Sequence, residues 1–234
     1  MTDVSRETSL AEHYATVPGL ARFVEILSTR GVERGLVGPR EVPRMWTRHV
    51  ANCAVVAQEE RARLPIGARV ADVGSGAGLP GIVWAVVRSD LEVTLIEPLL
   101  RRATFLSEVI EELDLGQRVR VERSRAEDVH GTFPVVTARA VARLPQLLGW
   151  TVPMTEVGGW VVALKGAGAR DEVAEAQPAL QRLGCGAPEI CEYGAELLDR
   201  PTTAVLVPRV GSGAPEVRRP SNVIRKHSVS KRGR

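Results

Sequence analysis

The chain has 234 residues, 44% of them hydrophobic and 25% charged, with a formal net charge of +3. That is enough chain for one sizeable core, and the composition excludes the disordered and collagen-like classes. No apolar run approaches the roughly 20 residues that span a bilayer, and the N-terminus lacks a basic-then-apolar signal segment, so no membrane partner is expected and the cytoplasm is the expected location.

Residues 1 to about 66 lack strand patterning. Leu20, Phe23, Val24, Ile26 and Leu27 recur at helical spacing up to Gly31. A loop carrying Gly35, Gly38, Pro39 and Pro43 follows, and Met45 to Arg61 reads as a second long helix ending near Pro65. This helix places Trp46, His49 and Cys53 near one face, with Arg48 beside it. Trp46 there could stack on a base and His49 could bond to it. The competing reading is a purely structural histidine.

From Arg69 onward strands and helices alternate. The strands fall at 69–73, 91–97, 118–123, 134–138 and 159–165, with helices at about 80–88, 99–114, 143–152 and 170–183. Such alternation implies right-handed βαβ units and a parallel sheet covered on both faces. Cys185 to Tyr193 and Thr202 to Val207 read as two more strands with no crossover helix between them. The expected fold is therefore α/β and Rossmann-like: seven strands, the last hairpin antiparallel, behind an N-terminal helical extension. Three segments follow: a helical extension at 1–66, a cofactor-binding domain at 67–210 and a basic, disordered tail at 211–234. The tail carries seven Arg and Lys against Glu216 alone, a net +6, which leaves −3 for the rest. It can add non-specific attraction to phosphate. The alternative is a solvated terminus without a partner.

The stretch from Val70 to Gly81, VADVGSGAGLPG, reads as a buried strand, a glycine-rich turn and a helix start. Gly74, Gly76 and Gly78 let the backbone bend sharply and a ligand approach closely. Two cofactors use this architecture. Gly76-x-Gly78-x-x-Gly81 matches the dinucleotide fingerprint. Gly74-x-Gly76-x-Gly78 behind Asp72 resembles the first motif of the S-adenosylmethionine (SAM) methyltransferases. A carboxylate at Asp72 would repel a pyrophosphate, whereas it suits the ammonium and sulfonium charges of SAM. Five parallel strands plus a hairpin also match the methyltransferase sheet better than a six-stranded, all-parallel NAD fold.

Further candidates stand at strand ends. Glu97 closes the second strand, 21 residues after Gly76, where an acid can accept hydrogen bonds from both ribose hydroxyls. Ser124-Arg125-Ala126-Glu127 follows the third strand, near where an adenine would lie. Arg139 closes the fourth strand and can bind a carboxylate or phosphate with its fork. Lys165 closes the fifth, either as a phosphate contact or as a snorkelling surface lysine. Cys53, Cys185 and Cys191 show no CxxC spacing, so neither a disulfide framework nor a metal site is expected.

Taken together, these residues resemble the RsmG family, also called glucose-inhibited division protein B. The segments that carry the resemblance are Asp72 to Ile82, Arg101-Arg102-Ala-Thr-Phe105-Leu106, Ser124 to Glu127, Ala138-Arg139-Ala140 and Ala163-Leu-Lys-Gly166, with Arg48-His49-Val50 similar to the family's Arg-His-Ile. It covers roughly residues 20 to 208. The resemblance implies a SAM-dependent methyltransferase that modifies guanine N7 in 16S ribosomal RNA, with that RNA or the small ribosomal subunit as partner, and a monomer. It implies SAM contacts at Gly74, Leu79, Ala126, Glu127 and Arg139. Asp72, Gly76, Gly78 and Glu97 are supported by the residue chemistry as well. His49, Arg125, Lys165 and Arg200 are implied as supports for RNA or cofactor. Asn52-Cys53 departs from the family's Asp-Ser after that helical motif.

Guanine N7 bears a free lone pair, so the chemistry needs no general base, and no catalytic residue is expected beyond alignment by Arg139. The chain has no Asn/Asp-Pro-Pro-Tyr motif for exocyclic amines and no Pro-Cys pair for pyrimidine C6. Alternatives from other classes are a methyltransferase for a small molecule or protein, an NAD(P)-dependent oxidoreductase and a non-catalytic SAM-binding regulator.

Overall fold

A computed structural model describes residues 3–211, without side-chain detail at 3, 4 and 6. The expected tail lies, beyond Gly211, outside the described residues. The helices are α1 (Asp3–His13), α2 (Leu20–Ile26), α3 (Ala51–Ala57), α4 (Gly81–Val87), α5 (Leu100–Glu112), α6 (Leu144–Met154) and α7 (Ala169–Arg182). The strands are β1 (Arg69–Val73), β2 (Glu92–Ile96), β3 (Val119–Glu122), β4 (Phe133–Arg139), β5 (Thr155–Lys165), β6 (Glu189–Tyr193) and β7 (Thr202–Pro208). They form one sheet in the order β3-β2-β1-β4-β5-β7-β6. β7 runs antiparallel to both neighbours, and the other pairings are parallel. The last hairpin is thus antiparallel as expected, but β7 is threaded between β5 and β6, which the order in the chain did not disclose.

Side chains alternate across the sheet with the period of two that strands impose. Val70, Val135, Val162, Leu164, Ala204 and Leu206 face one core, together with α2, α3, α4 and α5. Ala71, Val136, Ala138, Val161, Ala163, Val205 and Val207 face the other, under α6 and α7. The N-terminal helices share the first core: Leu20, Phe23, Ile26, Val50, Ala51 and Cys53 to Ala57 pack in the same cluster as β1, β2 and α4. Trp84 of α4 is fully buried, and its indole donates to the Cys53 carbonyl at 3.0 Å.

The second N-terminal helix departs from expectation at both ends. Trp46–Val50 forms a π-helical turn that runs straight into α3. Its first amides, Trp46 and Thr47, donate to the Glu7 carboxylate of α1 at 2.9 and 2.7 Å, which caps the helix from another element. The helix stops at Ala57 rather than Arg61, because Glu59 turns extended and returns Ala62 and Leu64 to the core. Trp46 does not face a base. It is 7% exposed and stacks on Tyr14 at 5.9 Å, because its helix face points to α1. β5 begins four residues earlier than expected, at Thr155, and a register shift against β4 absorbs the extra residues. The strand expected from Cys185 shrinks to Glu189–Tyr193, with Cys185 making a single bridge to Arg209.

Candidate functional site

Strand order reverses between β1 and β4, and ligands of open α/β sheets bind at the carboxyl ends of strands beside such a point. The chain leaving β1 forms the glycine loop. Gly74, Gly76 and Gly78 all have positive φ (70, 57 and 98°). Gly74 shows why glycine is needed: a Cβ there would lie 2.8 Å from Cγ2 of Val141. Val141 reaches that spot because Ala140, just past β4, is itself left-handed (φ 55°), a conformation that costs an L-residue on the order of 1 kcal/mol. The two chain ends that flank the switch point are fitted to each other.

Glu97 ties this loop to the next strand. Its carboxylate accepts the Gly76 amide and the Leu99 amide, both at 3.0 Å, and lies 3.8 Å from Arg102. It is 2% exposed but lines the cleft above the loop. Asp72 lies deeper and is fully buried. Its Oδ2 accepts the Gly81 amide at 3.0 Å, while Oδ1 has no hydrogen-bond partner. Burial pushes its pKa up to about 7, opposed by the Gly81 amide. Helix α4 can come this close only because residue 81 is glycine: a Cβ there would meet Leu95 and stand 2.7 Å from Asp72 Oδ2.

Two clefts open on this edge. The first, of roughly 750 Å³, brings together Gly74, Glu97, Arg125, Ala126, Glu127 and Val141. Asp72, Gly76, Gly78 and Leu79 build the loop that borders it and do not line it. The second, of roughly 910 Å³, brings together Arg48, Asn52, Arg139, Arg143, Lys165 and Arg200. Ala140 and Val141 line both. Of the four residues singled out for RNA or cofactor support, Lys165 and Arg200 share the second cleft, Arg125 lies in the first, and His49 lies beside the second, bonded to Arg139.

Local bonding sets what each cation can do. Lys165 is 8% exposed, so it does not snorkel; its Nζ donates to the Ala142 carbonyl and to Glu172, each at 2.7 Å. Glu172 also accepts the Leu144 amide, which joins α7 to the start of α6. Arg139 donates to the carbonyls of Arg48 (2.8 Å) and His49 (3.1 Å), to Cys53 Sγ (3.2 Å) and to His49 Nδ1 (3.0 Å). Every one of these acceptors is neutral. Among the described residues no carboxylate stands within ion-pair distance of Arg139, so its charge is available to an anionic ligand. Sequence reasoning missed Val141, Trp150, Arg143 and Glu41, which carry no motif and acquire their places only through tertiary contacts.

SAM fits these residues. A buried carboxylate with an unpartnered oxygen is suited to a cation, Gly74 lines the first cleft with backbone alone, and Glu97 offers a carboxylate at its wall. No group of three or more His, Cys, Asp or Glu side chains suited to a metal occurs among the described residues, and none of their helices is long and apolar enough to cross a membrane.

Fold and site together define a Rossmann-like, SAM-dependent methyltransferase. Solved structures agree on the fold: a SAM-dependent O-methyltransferase from Thermotoga maritima superposes with a TM-score of 0.54 at 18% identity, covering 75% of this chain and 72% of that one. A predicted O-methyltransferase from Agrobacterium tumefaciens gives 0.52 at 21% identity, covering 66% and 79%. The sequence narrows the class. Residues 17–196 match the family described as rRNA small subunit methyltransferase G, or GidB. A ribosomal RNA small subunit methyltransferase G from Nocardioides sp. (strain ATCC BAA-499 / JS614) is 51% identical over 220 residues, 88% of this chain and 84% of that protein. The Thermobifida fusca (strain YX) protein of the same name is 50% identical over 194 residues, 82% and 80% respectively. The chain belongs to the rRNA small subunit methyltransferase G family.

Proposed function

We propose that the chain moves a methyl group from SAM to N7 of a guanine in small-subunit ribosomal RNA, with the methyl donor in the first cleft and the acceptor base in the second. The observation that carries this reading is the shared wall at Ala140 and Val141, which brings a donor cleft and a cation-rimmed acceptor cleft together at the topological switch point. When bound, SAM supplies an activated methyl group on a sulfonium centre.

The chain's own residues then have three tasks. The Glu97 carboxylate, held by two amides, keeps lone pairs for ribose hydroxyls, and the Ser124–Glu127 loop flanks the base. Asp72 sits under the loop as a counter-charge for an ammonium group. Arg139 and Arg200 draw the RNA backbone to the second cleft, where phosphate contacts fix register rather than sequence. N7 has its own lone pair, so no side chain needs to take a proton. Alignment and exclusion of water carry the rate, which are worth several kcal/mol. The cytoplasm as location and a monomeric state belong to the same proposal, as does the division at residues 66 and 210.

The test is transfer of a labelled methyl group from SAM to intact small ribosomal subunits, stripped ribosomal RNA and transfer RNA, with nucleoside analysis. The expected product is 7-methylguanosine in small-subunit RNA. Label at another atom, or only in proteins or small molecules, overturns the assignment.

A further inference from the structure

The helix bearing His49 meets β4 through a chain of three polar side chains from three elements. Glu41 lies in the 3₁₀ turn Pro39–Arg44, His49 in the π-helical turn Trp46–Val50, and Arg139 at the end of β4. Glu41 Oε2 is 2.9 Å from His49 Nε2, and Arg139 Nη2 is 3.0 Å from His49 Nδ1.

The donor inventory fixes the protons. A guanidinium only donates, so His49 Nδ1 must be bare. A bare Nδ1 puts the proton of the neutral ring on Nε2, where it is donated to the Glu41 carboxylate. A protonated ring would turn Nδ1 into a donor facing a donor. The charged groups that face the ring are Glu41, Arg139 and Arg48 of its own helix. Burial and Arg139 hold its pKa below the ordinary histidine value, against the pull of Glu41. A π-helical turn leaves carbonyls open to outside donors, and here those of Arg48 and His49 both receive Arg139. The guanidinium is thereby fixed in orientation at the wall of the second cleft.

We propose that Glu41 is a positioning residue: by accepting the Nε2 proton it reinforces the tautomer that Arg139 requires, and so keeps at Nδ1 an acceptor that helps hold Arg139 in place for ligand. The proposal rests on the reading that Arg139 serves the methyl-transfer site. Glu41 lines neither cleft; it bonds His49 and, at 3.5 Å, Arg48, whose side chain lines the second cleft, so the tautomer of His49 is the readout that isolates its action on Arg139.

The experiment uses the full chain labelled with ¹⁵N-histidine, with the His49 signals assigned by their loss in His49→Gln. At pH 7 the wild type should show His49 as a single Nε2–H tautomer. Glu41→Ala should give a mixture of tautomers and lower kcat/KM for small subunits about tenfold, as expected for one lost hydrogen-bond chain to a charged group. Glu41→Gln, whose amide oxygen still accepts the Nε2 proton, should restore both. Glu41 is partly exposed, so neither variant threatens folding. A wild-type ring that is doubly protonated or carries its proton on Nδ1 overturns the proposal. So does a Glu41→Ala ring still locked as in the wild type, or a kcat/KM unchanged by that variant. The tautomer reading needs no RNA, so a chain that methylated a different acceptor would leave it standing.

Discussion

Replacing Asp72 by Asn tests whether the buried carboxylate under the glycine loop is a counter-charge for the methyl donor. Asn keeps an oxygen for the Gly81 amide, bonded at 3.0 Å, and removes only the charge. Burial raises the Asp72 pKa to about 7, so in the free protein the carboxyl is mostly neutral below that pH. A cationic amino group selects the ionised form, and the apparent affinity scales with the fraction of that form. For a pKa of about 7, that fraction climbs from about 3% at pH 5.5 to about 50% at pH 7.0, roughly a sixteenfold gain in affinity. The α-amino group of the ligand stays charged over this window. Isothermal titration of SAM should therefore give a dissociation constant that falls about sixteenfold across it. Asp72→Asn should be flat and bind more weakly than the wild type across the window, most of all at pH 7.0. The sign for folding is the reverse. The unfolded chain releases this proton at a lower pH than the native one, so ligand-free stability should drop as pH rises from about 4 to 7 and do so less in the variant. A flat wild-type profile, or a slope that survives in Asp72→Asn, refutes the assignment.

Other outcomes follow from the geometry. Gly81→Ala puts a Cβ against Leu95 and 2.7 Å from Asp72 Oδ2, and should lower stability by about 2–4 kcal/mol in urea unfolding. Gly149→Ala, in the middle of α6 with open space at its Cβ, should instead raise it by about 0.5–1 kcal/mol; equal effects at the two sites would show that steric fit does not set the need for glycine. Glu97→Ala should weaken binding of adenosine as well as SAM, since it removes both the proposed ribose contact and the anchor of the Gly76 amide; a change confined to SAM would place the residue at the methionine end. Deleting the residues after Val210 removes seven cations and should flatten the log–log salt dependence of RNA binding by as much as roughly five. An unchanged slope would show that the tail makes no phosphate contacts.

The sequence by itself determined what short-range chemistry decides. Short apolar runs separated by helical segments located all seven strands, because a run of that kind is a property of five or six neighbouring residues. The glycines after Val73 marked the ligand loop, because a backbone with positive φ disfavours side chains. The acids at 72 and 97 were legible through their spacing from that loop. What the tertiary structure alone decided involves partners far apart in the chain. β7 lies between β5 and β6 because register and burial, not sequence order, choose strand neighbours. Trp46 turns inward because α1 supplies Tyr14 to stack on it. Arg139 is fixed by carbonyls and a histidine about 90 positions earlier, and Glu41 reaches it through that histidine. Val141 matters because Gly74 leaves a space for it across the switch point. Steric exclusion at one residue is written locally, whereas a hydrogen-bond partner or a packing neighbour exists only once the chain has folded back on itself.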